Sequence, residues 1–142
     1  MSHNPGLGGR TLNVLHVDDD PMNLRVVQEI LGAFGHQATM ACSGRDALDR
    51  LSVEAFDIVL LDIHMPGMTG VEVITELRAS TGPQRSVPVI ALTADVYSRR
   101  PAEYIALGFN DFVAKPILVS GLMASIRRLT ASALPAPLSR AG

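Results

Sequence analysis

The sequence predicts an α/β domain, a doubly wound sheet of five parallel strands assembled from five consecutive strand–helix units. Three observations carry this expectation. Five short apolar runs recur along the chain, each bounded by polar residues. Longer segments lie between them, with apolar residues every three to four positions, the period of a helix with one buried face. Strict alternation of the two kinds implies crossover connections and helices on both faces of the sheet. A chain of 142 residues, 47% apolar and 18% charged, has the size and composition of one globular domain with a real core.

The elements follow in order. The strands are expected at Leu12–Val17, Gln37–Ala41, Ile58–Leu61, Val87–Leu92 and Asp111–Ala114. In the first helix Val27, Ile30, Leu31 and Phe34 share one face. Asp20 suits its N-cap and Pro21 its first position, and Gly35 lies just past its end. Ser43 suits the cap of a second helix that turns Ala47, Leu48 and Leu51 inward. A third helix over Val71 to Arg78 points Val71, Ile74 and Leu77 inward. The fourth runs over Pro101–Leu107 and is closed by Gly108. A proline is tolerated only in the first turn, so this helix starts late, near Arg99 or Arg100. The last helix carries Leu118, Leu122, Ile126 and Leu129 on one stripe. Residues 1–9 and the Ala/Pro-rich 132–142 read as flexible tails around a domain at 10–131.

Several function classes are disfavoured by composition. The longest strongly apolar run, Ile58 to Leu61, falls far short of the roughly 20 residues that span a bilayer. The N-terminus lacks the apolar stretch of a secretory signal, and the single cysteine, Cys42, permits no intrachain disulfide. A cytoplasmic protein is expected. The net charge of −2 with no basic run argues against nucleic acid as a partner.

In open parallel sheets the chemistry gathers at the carboxyl ends of the strands. Here the first strand ends in Asp18-Asp19-Asp20, the third in Asp62, the fourth in Thr93 and the fifth in Lys115. Lys115 is the one lysine among 12 basic residues. Carboxylates crowded together repel unless a cation compensates them. Mg²⁺ is bound by oxygen ligands, commonly one or two carboxylates plus a phosphate. A lysine supplies a compact positive charge to a phosphoryl oxygen, a threonine hydroxyl can donate to another, and a remaining aspartate can act as nucleophile. The set describes a site that phosphorylates an aspartate.

The chain resembles the receiver domains of bacterial two-component response regulators over about Arg10 to Ala131. The resemblance rests on Val17-Asp18-Asp19-Asp20-Pro21 with Asn23, and on Leu61-Asp62-Ile63-His64-Met65-Pro66-Gly67-Met68-Thr69-Gly70. Ala91-Leu92-Thr93-Ala94, Gly108-Phe109-Asn110-Asp111-Phe112 and Lys115-Pro116-Ile117 complete it. The forms around Asp18–Asn23 and Lys115–Ile117 look most like receivers attached to hybrid histidine kinases. The resemblance implies the flavodoxin-like strand order 2-1-3-4-5. It implies that Asp62 accepts a phosphoryl group from a phosphohistidine on a histidine kinase or histidine phosphotransfer protein. Asp19, Asp62 and the backbone carbonyl of His64 would bind Mg²⁺ (or Mn²⁺), with Asp18 acting directly or through water. Lys115 would pair with Asp62 or its phosphate, and the Lys115–Pro116 bond would be cis. Thr93 would move to the phosphate and Phe112, the switch aromatic, would turn inward. The output surface would be the fourth helix, fifth strand and fifth helix, with Arg99, Arg100, Tyr104 and Arg127 on it. The side chains of His64 and Asp95, each two residues past a key position, are expected to tune phosphate lifetime.

Weaker readings accompany these. Alone, Asp18–Asp20 would be a helix-capping cluster, Asp62 a turn residue, Thr93 a strand residue and Phe112 core; their combination favours function. His16 is expected to be a satisfied structural histidine, His3 and His36 to lack identifiable partners, and the six Met to serve packing. Such a module is not a turnover enzyme. It fits a stand-alone receiver, a phosphorelay intermediate or sink, or the receiver of a larger hybrid. A pseudo-receiver would lack an acidic position or the lysine, and all are present. An aspartyl-phosphate phosphatase would need a second aspartate two residues after its nucleophile, where His64 stands.

Overall fold

In the computed structural model residues 10–131 are described apart from Val96, and both expected tails lie outside the described residues. The strands are β1 Asn13–Val17, β2 Gln37–Ala41, β3 Ile58–Asp62, β4 Val89–Thr93 and β5 Asp111–Ala114. The helices are α1 Pro21–Ala33, α2 Gly44–Val53, α3 Gly70–Ala79, α4 Pro101–Leu107 and α5 Val119–Thr130, with a 3-10 turn at Pro83–Ser86. All pairings are parallel, in the order β2-β1-β3-β4-β5, which is the expected order. The direction of travel reverses after β2, so β1 and β3 are neighbours and their carboxyl ends flank the switch point of the sheet.

Side chains alternate across a strand, and that alternation divides the core. Leu15, Val17, Val59, Leu61, Val89 and Ala91 point to one face with Ala47 and Leu51 of α2, Ile74 of α3 and Tyr104 of α4. Val14, Ile58, Leu60, Ile90 and Leu92 point to the other with Val27 and Leu31 of α1 and Leu122 and Ile126 of α5. Every residue of β3 and β4 is buried. Each such Leu, Ile or Val stabilises the fold by about 1.5–3 kcal/mol, so these central strands form a rigid frame under whatever their ends display.

Local chemistry sets the helix starts. The Asp20 carboxylate accepts from the Met22 N–H at 3.0 Å, with Pro21 opening α1. Ser43 Oγ accepts from the Asp46 N–H at 3.1 Å to open α2. Thr69 and Glu72 cap each other's backbone at α3, a reciprocal pair that the sequence reading passed over. Gly108, at φ +115°, ends α4 in a conformation that suits glycine.

The structure corrects several expectations. The fourth strand starts at Val89 because Pro88 has no N–H for the ladder, and it reaches Thr93. The third helix extends to Gly70–Ala79 and buries Val73, while Val71 is only partly covered. Leu118 caps α5 and is 67% exposed, so it lies off the buried stripe, which Met123 joins instead. Met22 and Met40 are exposed rather than packed. His36 has a partner after all, since its Nδ1 accepts from the Leu12 N–H at 3.1 Å. His16 is buried, yet neither ring nitrogen finds a hydrogen-bond partner among the described residues, so it is not satisfied as expected. Tyr104, expected on the surface, is fully buried, because α4 turns it onto the sheet between Phe109 and Phe112.

Candidate functional site

The carboxyl ends of β1, β3 and β5 converge on a cleft of about 520 Å³ lined by Asp18, Asp19, Asp20, Asn23, Asp62, His64 and Lys115, among others. The strands deliver these groups directly. Asp18 follows the last residue of β1, Asp62 ends β3, and Lys115 follows β5, held there by its N–H donating to the Thr93 carbonyl at 2.8 Å. The following Lys115–Pro116 bond is cis, as the resemblance implies.

Lys115 Nζ donates to Asp18 Oδ2 at 3.1 Å and stands 3.2 Å from Asp62 Oδ1. Asp18, fully buried, also accepts from the Asp20 N–H at 3.0 Å and from Asn23 Nδ2 at 3.3 Å. Asp62 Oδ1 accepts from the His64 N–H at 3.3 Å. One ligand oxygen from each of Asp18, Asp19 and Asp62 lies within 4.8 Å of the others. One lysine, Lys115, pairs with two of the three, Asp18 and Asp62. Burial first, and the Asp18 charge second, push the Asp62 pKa above its ordinary value, against the pull of Lys115 and the His64 N–H. Burial acts to lower the Lys115 pKa, but its hydrogen bond and charge interaction with Asp18, helped by Asp62, outweigh burial and raise it. Lysine is therefore charged, and the carboxylates exceed the positive charge available to them. A hard divalent cation fits this all-oxygen donor set.

Beneath the cluster, His16 Nε2 lies 3.9 Å from Asp18 Oδ2. Burial lowers its pKa to about 4, opposed by Asp18 and reinforced by Lys115, so the imidazole is neutral and contributes no compensating charge.

The remaining expected residues fall around this centre. Thr93 is buried; its hydroxyl donates to the Asp95 carbonyl at 3.2 Å and accepts from the Asp95 N–H at 3.0 Å. His64 is exposed at the cleft wall. The Asp95 carboxylate caps the Tyr97 N–H at 3.2 Å, away from the residues that line the cleft. Phe112 is half-buried on the α4 side of β5. Arg100 is exposed and Arg99 half-exposed, with the Arg99 guanidinium 6.0 Å from the Tyr104 ring centre; Arg127 is exposed on α5.

One positioning residue escaped the sequence reading. A Cβ at Gly70 would come within 2.5 Å of the Asp62 carbonyl oxygen and 2.8 Å of Ile63 Cα. Only glycine lets the first turn of α3 lie against the backbone that carries Asp62. The signal was present as a glycine at a helix start, but its cause is a neighbouring strand that sequence order does not reveal.

Comparison with known proteins places these residues in context. Residues 14–127 match the family model described as the response regulator receiver domain. The chain is 36% identical over 137 residues to the sensor protein GacS of Pseudomonas syringae pv. syringae, covering 94% of this chain and 15% of that protein. It is 36% identical over 117 residues to the aerobic respiration control sensor protein ArcB of Escherichia coli, covering 82% of this chain and 15% of that protein. The chain thus spans a small part of the curated relatives it matches. Among solved structures, the receiver domain of a sensor histidine kinase from Pseudomonas aeruginosa, with a magnesium ion coordinated in its active site cleft, superposes with a TM-score of 0.77. That likeness has 29% identity and covers 86% of this chain and 99% of that one. The chemotaxis protein CheY4 of Vibrio cholerae superposes equally well, with a TM-score of 0.77, 28% identity, and coverage of 84% and 99%.

Proposed function

We infer that this chain, which belongs to the response regulator receiver domain family, accepts a phosphoryl group on Asp62 and thereby switches a protein-binding surface. The single observation that carries this reading is the geometry at Asp62. A carboxylate at a strand end has one oxygen held by Lys115 and the His64 N–H, beside two further carboxylates. Those contacts hold Oδ1 and leave Oδ2, which takes no part in the pair with Lys115, to serve as the nucleophile. A carboxylate oxygen of Asp62 attacks the phosphorus of a phosphohistidine, an O–P bond forms and the P–N bond breaks. The electron pair returns to the imidazole nitrogen of the donor, which takes up a proton. Lys115, already shared between Asp18 and Asp62, follows the developing charge on the phosphoryl oxygens.

Asp18, Asp19 and Asp62 would hold Mg²⁺, joined by the His64 carbonyl, and the ion would neutralise charge between acceptor and phosphoryl group. Asn23 and the Asp20 N–H keep Asp18 oriented toward that centre. Thr93 trades its bonds with Asp95 for a phosphoryl oxygen, and Phe112 answers that movement. His64 at the cleft wall slows or speeds the approach of water to the acyl phosphate, with Asp95 as a second tuning position. The donor is a histidine kinase or histidine phosphotransfer protein, and the partner of the switched state binds α4, β5 and α5. The module signals rather than turning over substrate. No helix among the described residues is long and apolar enough to cross a membrane.

The test is direct. Incubated with acetyl phosphate and Mg²⁺, the protein gains one phosphoryl mass, and Asp62→Asn gains none. A label that persists in Asp62→Asn rules out this assignment.

A further inference from the structure

His16 is fully buried beneath the acidic cluster, and both of its ring nitrogens are unpaired among the described residues. β1 runs between β2 and β3, so His16 stands in register with Met40 on one side and Leu60 on the other. Alternation along the strand places it on the face of Val14, two residues before Asp18. An imidazole buried without a hydrogen bond destabilises a fold, where an apolar side chain of similar size would not. Its direction is specific, because Nε2 lies 3.9 Å from Asp18 Oδ2. The neutral ring carries a single N–H, and a carboxylate on that side favours the tautomer with the proton on Nε2.

Other donors now hold Asp18. Its Oδ2 accepts from Lys115 Nζ at 3.1 Å and from Asn23 Nδ2 at 3.3 Å, and its Oδ1 from the Asp20 N–H at 3.0 Å. Lys115 is the contact that changes on phosphorylation. Its Nζ also stands 3.2 Å from Asp62 Oδ1 and turns to the phosphoryl oxygens formed there. Asp18 is fully buried, and a buried carboxylate that loses a charged donor needs another. The gap to His16 Nε2 has to close by only roughly 1 Å to reach hydrogen-bond distance.

We propose that His16 is a positioning residue for Asp18: when Lys115 turns to the phosphoryl group on Asp62, the Nε2–H of His16 takes its place at Asp18 Oδ2 and holds that carboxylate in the metal-binding cluster. This rests on Asp62 being the phosphoacceptor. The unpaired imidazole of the unphosphorylated protein is then a donor held in reserve. The exchange keeps Asp18 fully hydrogen-bonded while the lysine charge moves to the phosphoryl group, and the proton stays on the imidazole throughout.

The ring itself reports the exchange. The chain has four His, and the signal missing from His16→Leu identifies the His16 imidazole. Nuclear magnetic resonance spectra of isotopically labelled imidazole nitrogens are recorded with acetyl phosphate and Mg²⁺ while phosphoryl mass is followed in parallel. The expected result is a His16 Nε2–H proton that moves downfield in step with phosphoryl mass and stays in place in Asp62→Asn under the same conditions. Full phosphoryl mass with an unmoved His16 signal overturns the proposal and leaves the role of Asp62 standing; no phosphoryl mass overturns both. Two variants separate a donor from a filler of space. His16→Leu removes the N–H, and its half-maximal labelling should need about ten times more Mg²⁺ than the wild type, the scale of loss when a metal ligand is deprived of its supporting hydrogen bond. His16→Gln keeps an N–H at similar reach and should recover most of that loss. A wild-type Mg²⁺ requirement in His16→Leu, or equal impairment of the two variants, overturns the proposal.

Discussion

At opposite ends of one sheet the chain buries charge in two different ways. At the amino ends of β4 and β5, the guanidinium of Arg78 reaches in from α3. Its Nε and Nη2 donate to the Gly108 carbonyl at 3.0 and 2.7 Å, and its Nη1 to the carbonyls of Arg85 and Val87, both at 2.8 Å. Its Nη2 also donates to Asn110 Oδ1 at 3.0 Å, and that oxygen accepts from the Val89 N–H at 2.8 Å as well. An arginine has five N–H donors, and here five hydrogen bonds use them. Burial lowers the Arg78 pKa, yet every acceptor around it is neutral and placed. At the carboxyl ends, Asp18, Asp19 and Asp62 cluster beside Lys115, the one lysine or arginine lining the cleft there among the described residues, and the neutral His16 beneath them adds no charge. The first cluster is saturated and has nothing left to offer a ligand. The second is short of positive charge and has oxygen to spare. Buried polar groups that are fully paired rigidify a fold, whereas those left unbalanced mark chemistry.

Mutating each end sharpens that contrast. The largest effect is expected at the saturated end. Arg78→Ala removes the donor from three backbone carbonyls, while Asn110 Oδ1 keeps the Val89 N–H, and should lower unfolding free energy by about 2–4 kcal/mol in denaturant titrations. Its folded fraction should still accept the phosphoryl label, and loss of labelling out of proportion to loss of fold would break the division of roles. Asp62→Asn should behave in the opposite sense. The native pKa of Asp62 is raised above its ordinary 3.8, so the ionised carboxylate weakens the fold at any pH above that value. A neutral amide removes the penalty, and the variant should unfold at equal or higher denaturant while losing all label.

Cation binding comes next. A ligand that binds only the folded state at a hundred times its Kd stabilises by about 2.7 kcal/mol. Mg²⁺ should raise the thermal midpoint of the wild type, chelator should reverse it, and Asp19→Asn should blunt it without altering the metal-free midpoint. The smallest effect concerns pH at the amino end. Burial, opposed by Asp57, lowers the His36 pKa, and the neutral ring accepts the Leu12 N–H. Its contribution is therefore full above the unfolded value of about 6.5 and is lost as pH falls below it. His36→Gln should flatten that part of the stability curve; an unchanged slope would remove His36 from the account.

Much of the frame was legible in the chain. Short apolar runs and the 3.6-residue period placed all ten elements, with some edges shifted by one or two residues, as where Pro88 and the Thr69–Glu72 cap intervened. The polar strand ends Asp18, Asp62, Thr93 and Lys115 stood out because apolar runs led directly into them. Leu118 and Tyr104 misled for opposite reasons. Leu118 continues a helical stripe but sits at the cap, before helical geometry turns it inward. Tyr104 sits beside exposed charges, yet α4 rolls it onto the sheet.

Sequence alone determined the alternation, the strands and the identity of the groups at their ends, because periodicity and residue type are local properties of a chain. Tertiary structure decided which of those groups share a charge and which rings share a volume. Asp18 and Lys115 are 97 positions apart but 3.1 Å apart in space, Gly70 is forced by the backbone at Asp62, and Tyr104 fills the space beneath Phe112. Such contacts depend on the order and twist of strands that meet only once the sheet has formed, and no local pattern encodes them.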